Sequence, residues 1–183
     1  EKNEGQPVGE NLPETQVARS LSVRFMDELA AIGGIAYRLP EKELTNRLAG
    51  FLQERGIERV CVDSIGEKYL PAVEVVHGSD PFVRVGVTGA LVGIAESGSL
   101  VLVGGEDHPL SASLLPDIHI AILRASDLVP ALPDALNRPE IRQAASSVII
   151  TGPSRTADIE MTLTIGVHGP RELVVFVIDE NLE

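Results

Sequence analysis

The sequence predicts an α/β protein, a single-domain open sheet with flanking helices. Two observations carry this. Segments with apolar residues at helical spacing alternate with short aliphatic runs of strand length, and glycine or proline stops separate them, the pattern of an α/β layer. The length, 183 residues, fits one domain with an ample core.

The elements follow in chain order. Residues 1–14 are polar and carry glycine and proline, which predicts a flexible N-terminal arm before a domain over 15–183. From Thr15, the positions Val17, Leu21, Phe25, Leu29 and Ile32 keep helical spacing, and Gly33-Gly34 supplies the stop. A strand over Ile35–Leu39 follows. Pro40 then opens a second helix with Leu44, Leu48, Phe51 and Leu52 on one side and Gly56 as its stop. Val60–Asp63, Val73–Val76 and Val83–Val87 read as strands. Thr88-Gly89-Ala90 is expected to turn into a short helix, and Glu96-Ser97-Gly98-Ser99 to turn back into a strand over Leu100–Val103. Ile118–Leu123 is a buried-looking strand. Ser126–Asn137 and Arg138–Ala145 suit short helical turns, interrupted by Pro130 and Pro133. A strand at Val148–Ile150 precedes a helix expected over Ala157–Ile165, a turn at Gly166–Pro170 and a last strand at Glu172–Ile178.

Composition narrows the function. A formal charge of −12 disfavours nucleic acid and anionic membrane as partners, and no apolar run is long enough for membrane insertion. The default compartment is cytoplasmic. No lysine follows Lys68, so Schiff-base chemistry and a phosphate-loop lysine are excluded from the C-terminal half. The single cysteine, Cys61, cannot by itself hold an iron–sulfur cluster or a thiolate zinc site. No His-Glu-x-x-His spacing occurs, and no metal is assigned. Gly86-x-x-Gly89-x-x-x-Gly93 is neither a dinucleotide fingerprint nor a phosphate loop.

The densest polar stretch is Thr151-Gly152-Pro153-Ser154-Arg155-Thr156-Ala157-Asp158-Ile159-Glu160, which follows a strand. If a helix starts there, its free N–H groups and Arg155 suit an anion, with Thr151, Gly152, Ser154, Arg155, Thr156, Asp158 and Glu160 as candidate ligand-binding residues. An ordinary cap explains the same residues, with Ser154 or Thr156 at the N-cap and the two carboxylates in the first turn. Thr88-Gly89 also ends a strand, and ligands of open α/β sheets bind outside strand carboxyl ends. Both Thr-Gly pairs are therefore expected to line one crevice with Glu96, Ser97 and Gly98. Glu96 is the candidate catalytic carboxylate, as nucleophile or general base; its alternative is a surface turn cap. His168, in a turn, is free to meet a ligand or a neighbouring subunit, whereas His119 reads as a structural histidine.

Three ordered segments resemble the LUD domain of the lactate-utilisation protein C family, from about residue 15 to the end. They are Val85–Ala90 running on through Ile94–Leu102, Ser113–Ala121, and Thr151–Glu160 with Gly166–Leu173. The family pattern often has an acidic residue at the position of Leu91 and threonines at those of Ser97 and Ser99. The resemblance implies a fold similar to the NagB/RpiA/CoA transferase-like group, which also includes formyltetrahydrofolate cyclo-ligase. It further implies a role in oxidising L-lactate to pyruvate beside separate iron–sulfur subunits, the clusters residing in those partners and none in this chain. Three readings stay open: an accessory subunit that binds a small carboxylate such as lactate or pyruvate, an acyl/CoA-transferase-like or cyclo-ligase-like enzyme using Glu96, and a non-catalytic adaptor. Whether the chain is itself an enzyme is left undecided.

Overall fold

The computed structural model describes residues 14–77, 80, 82–106, 108–157, 163–165 and 169–182. The elements are α1 (Glu14–Ala31), β1 (Ile35–Leu39), α2 (Glu41–Glu54), β2 (Arg59–Val62), α3 (Ser64–Glu67), β3 (Glu74–Val76), β4 (Val85–Gly89), β5 (Val92–Ile94) and β6 (Ser99–Gly104). They continue with α4 (Ser111–Leu114), β7 (Ile118–Arg124), β8 (Leu128–Val129), α5 (Leu132–Leu136), α6 (Pro139–Gln143), β9 (Ser146–Ile150), β10 (Arg155–Ala157), β11 (Leu163–Ile165) and β12 (Glu172–Ile178). Among the described residues, no helix is long and apolar enough to cross a membrane.

Six parallel strands form the main sheet in the order β1-β12-β7-β4-β2-β3. Its two faces build two cores. On one face, Ile118, Ile120 and Ile122 of β7 and Val174, Phe176 and Ile178 of β12 pack against Leu44, Leu48, Phe51 and Leu52 of α2. On the other, Ala121, Leu123, Leu173, Val175 and Val177 meet Phe25 and Leu29 of α1 and Leu100 and Leu102 of β6. Burial on both faces explains why β7 and β12 read as unbroken apolar runs rather than as alternating strands. The second sheet, β8-β5-β6-β9, turns its other side to Ala135 of α5 and Ile141 of α6.

Two expectations fail. The segment after Thr88-Gly89 forms β5, antiparallel to β6, instead of a helix. Val92 and Ile94 are β-branched, and Gly93 lets Leu123 and Leu128 close in where a Cβ would sit 2.6 and 2.7 Å from their side chains. Nor is the helix expected over Ala157–Ile165 present at its described ends: Arg155–Ala157 and Leu163–Ile165 pair as antiparallel strands, and residues 158–162 lie outside the described residues. Met161-Thr162-Leu163-Thr164-Ile165 alternates apolar and polar residues with a period of two, and three of the five are β-branched. With that helix goes the anion-attracting helix start proposed for Ser154–Thr156. Of the expected arm, residues 1–13 lie outside the described residues, and α1 already begins at Glu14.

The strand order sets where a ligand site belongs. From β2 the chain moves outward to β3; from β4 it moves the opposite way, through β7 to β12 beside β1. Neighbouring strands β2 and β4 thus send their connections in opposite directions, and a crevice opens between their carboxyl ends.

Candidate functional site

The sequence-predicted residues divide into two places. The first surrounds the last turn of α1. There Ser97, Ser99 and Thr151 form a chain of hydroxyls, with Ser97 Oγ to Ser99 Oγ at 2.8 Å and Ser99 Oγ to Thr151 Oγ1 at 2.8 Å. Pairing of β6 with β9 causes this, since Leu100 faces Ile150 and the residues flanking them meet. Arg155 Nη2 donates to the carbonyl of Ile32 at 2.7 Å, so it occupies one of the carbonyls that α1 leaves open at its end. Among the described residues Arg155 has no carboxylate partner, and one such bond leaves most of its donors for other acceptors. The backbone N–H of Ser154 is committed to the carbonyl of Pro170 at 2.8 Å.

Two glycines permit this gathering. A Cβ on Gly98, whose φ is +62°, would lie 2.3 Å from the backbone nitrogen of Leu29, and one on Gly152, at φ +79°, would press on Ile32 at 3.2 Å. Gly98→Ala therefore combines left-handed backbone strain with a backbone clash. We expect it to lower stability by about 2 kcal/mol in urea unfolding. A loss below about 0.5 kcal/mol would show that the turn and α1 separate freely.

Glu96 turns away from the hydroxyls. Its Oε1 accepts the N–H of Leu132 at 2.9 Å, at the first residue of α5, so its carboxylate caps that short helix. Asp158, Glu160 and His168 lie outside the described residues; Thr156 is a strand residue of β10.

Thr88 and Gly89 belong to the second place, the crevice between β2 and β4. They line a cavity of about 90 Å³ with Asp63, Leu102, His108 and Leu110, and neither Glu96 nor the 151–155 loop borders it. The single crevice expected from the two Thr-Gly strand ends thus resolves into two separate clusters. Asp63, 5% exposed, is the hub here. Its Oδ1 accepts the N–H of Gly66 at 2.7 Å as the N-cap of α3, both oxygens face the N–H of Gly89 at 3.1 and 3.0 Å, and His108 Nδ1 stands 3.4 Å from Oδ2. Beneath it, Thr88 Oγ1 and His119 Nε2 share a 2.8 Å hydrogen bond. His119 is wholly buried and its Nδ1 has no partner among the described residues; burial pushes its pKa down to about 3.

Sequence reasoning missed Asp63. Its signal was present: an aspartate directly after an apolar strand with a glycine three residues on is an N-cap pattern. Neither place assembles metal ligands: among the described residues, no group of three or more histidine, cysteine or acidic side chains is positioned to hold an ion. The Cys61 thiol, half-way along a buried strand, is pushed up to about 11 by burial and stays protonated.

Comparison with known proteins decides the family. The LUD domain matches residues 81–178, more than half of the chain and the whole run from β4 to β12. The chain belongs to the LUD-domain family. Within it, the chain is similar to lactate utilization protein C of Halalkalibacterium halodurans, 36% identical over 140 residues, covering 73% of this chain and 57% of that one. Lactate utilization protein C of Bacillus subtilis is 39% identical over 106 residues, covering 54% and 43%. The chain thus spans about half the length of the curated relatives it matches. A crystal structure of a DUF162 family protein from Deinococcus radiodurans superposes with a TM-score of 0.70 at 22% identity, over 88% of this chain and 98% of that one. At that identity the likeness shows a shared fold, the α/β arrangement that the sequence predicts.

Proposed function

We propose that this LUD-domain chain serves lactate utilisation as an accessory subunit that handles a small carboxylate, lactate or pyruvate, beside separate iron–sulfur subunits. The observation that carries the reading is the similarity to relatives named lactate utilization protein C, at 36% and 39% identity. The chemistry of the chain is compatible with it. One cysteine, buried and protonated, cannot supply the thiolates of a cluster, so electron transfer would fall to the partners. Arg155 has no carboxylate partner among the described residues, and a guanidinium is the donor a carboxylate takes. A transferase reading with Glu96 as nucleophile would require that carboxylate to leave the N–H of Leu132.

Calorimetric titration of the protein with L-lactate, pyruvate and CoA tests this. Saturable binding of lactate or pyruvate is expected, weakened at least ~10-fold in Arg155→Ala, the loss that one or two charge-assisted hydrogen bonds give. Equal affinity of the variant and the wild type would remove Arg155 from the site. Binding of CoA instead would favour the transferase.

A further inference from the structure

A second cavity, about 310 Å³, opens at the carboxyl edge of the main sheet, away from the Arg155 cluster. Its floor is aliphatic, made by Ala90, Leu91, Ile122 and Ile178, and its rim carries Lys68, Tyr69 and Arg124. These three reach the edge on two elements: Lys68 and Tyr69 follow α3, and Arg124 ends β7. All three donors converge on one atom, Glu41 Oε1. The Tyr69 hydroxyl donates at 2.6 Å, Lys68 Nζ at 3.3 Å and Arg124 Nη2 at 3.3 Å. The Tyr69 hydroxyl holds its place from a side chain only 6% exposed, while it accepts from Lys68 at 3.2 Å and from Arg124 at 3.3 Å. Glu41, by contrast, is the first residue of α2 and its side chain is 38% exposed. Tyr69 is the buried member of the set; Lys68 and Arg124, 62% and 35% exposed, reach it from the rim as Glu41 does.

We propose that this cavity binds a short aliphatic carboxylate, with Tyr69, Arg124 and Lys68 as its donors and with Glu41, seated on the same donors from beside the cavity, as the acceptor that the ligand displaces. The ligand carboxylate takes the position of Glu41 Oε1, and its hydrocarbon lies on the aliphatic floor. Release of Glu41 into water costs little, because an exposed ion pair is worth only a fraction of a hydrogen bond's strength in a dry interior. The carboxylate class follows from the group already seated on these donors and from the floor: a phosphate would bring more charge to a rim that carries Asp127 and whose Arg124 already pairs with Glu41 and Glu180. The Tyr69 hydroxyl, with the two cations, already holds the Glu41 carboxyl below its usual range, which is the effect this donor set would have on any carboxylate placed there. The inference is independent of Arg155 and of lactate.

The test is an NMR titration of the full chain with sodium acetate, propionate and butyrate, on wild type, Glu41→Gln and Arg124→Gln. Glu41→Gln removes the competing charge and keeps the shape, so propionate is expected to bind about tenfold more tightly than to wild type. Arg124→Gln is expected to lose at least ~10-fold, with Lys68→Gln as a second donor variant should the first unfold. Butyrate is expected to bind about tenfold more tightly than acetate, because two methylenes reach the floor. Amide shifts at Tyr69 and Ile122 report this cavity and those at Thr151 and Arg155 report the other cluster, so the two sites are read separately in one titration. The proposal is overturned if Glu41→Gln, folded by circular dichroism, binds propionate no more tightly than wild type. Amide shifts confined to residues far from Tyr69 and Ile122 would overturn it equally.

Discussion

Asp63→Ala should cost about 3 kcal/mol of stability, read as a lower urea midpoint at unchanged slope. The carboxylate, 5% exposed, closes the crevice where β2 and β4 part, and three protein groups depend on it. Loss of the N-cap to Gly66 accounts for about 1 kcal/mol. The N–H of Gly89 is the larger item, because Gly89 is buried and a donor left without an acceptor there costs roughly 1–3 kcal/mol. Asp63→Asn separates geometry from charge: an amide oxygen still accepts from Gly66 or Gly89, so a loss of about 1 kcal/mol is expected. If Asp63→Ala loses less than the asparagine variant, water replaces the carboxylate and the crevice is open enough to admit it. That outcome would turn a sealed strand junction into an accessible one, and the 90 Å³ cavity beside Thr88 would be its continuation.

What the sequence revealed and what it hid follow from the range of the interactions. Helices α1 and α2 were legible because their apolar stripes and terminal glycines are local: Gly33 at φ +88° and Gly56 at φ +63° end them where expected. The strand Glu172–Ile178 was legible because burial on both faces leaves a long apolar run, and the half-buried edge strand Ile35–Leu39 because Gly33-Gly34 and Pro40 bracket it. β5, β10 and β11 have three residues each and depend on pairing with a partner strand; their β-branched residues suit a strand but are too few to specify one alone. The sites divide the same way. Glu96, Thr88 and Arg155 stood out by their neighbours in sequence, yet their surroundings are set by α5, His119 and the end of α1. Glu41, Tyr69 and Arg124 are scattered in sequence and meet only because the strand order brings the ends of β7 and α3 to the start of α2.

The pH dependence of stability should carry the mark of His119. It lies between Gly86 of β4 and Leu173 of β12, wholly buried, with one nitrogen bonded to Thr88 and the other unpaired. Burial disfavours the imidazolium, so the folded pKa of about 3 is below the ordinary value near 6.5. Above pH 6.5 both folded and unfolded chains hold a neutral ring, and the histidine adds no pH dependence. As the pH falls below that value, the unfolded chain takes up a proton that the folded chain refuses. Stability then declines by up to about 1.4 kcal/mol per pH unit, until the folded state also protonates near pH 3. Between pH 6.5 and pH 4 this sums to about 3 kcal/mol, well above the scatter of a single surface carboxylate. Urea unfolding at half-unit intervals, on wild type and His119→Gln, isolates it: the difference between the two curves should be flat above pH 6.5 and slope below. Parallel curves would mean that the ring is reached by solvent or gains a partner for Nδ1 on protonation. The same slope would mean that acid weakens the seam between β4, which lines the 90 Å³ cavity, and β7, which lines the 310 Å³ one.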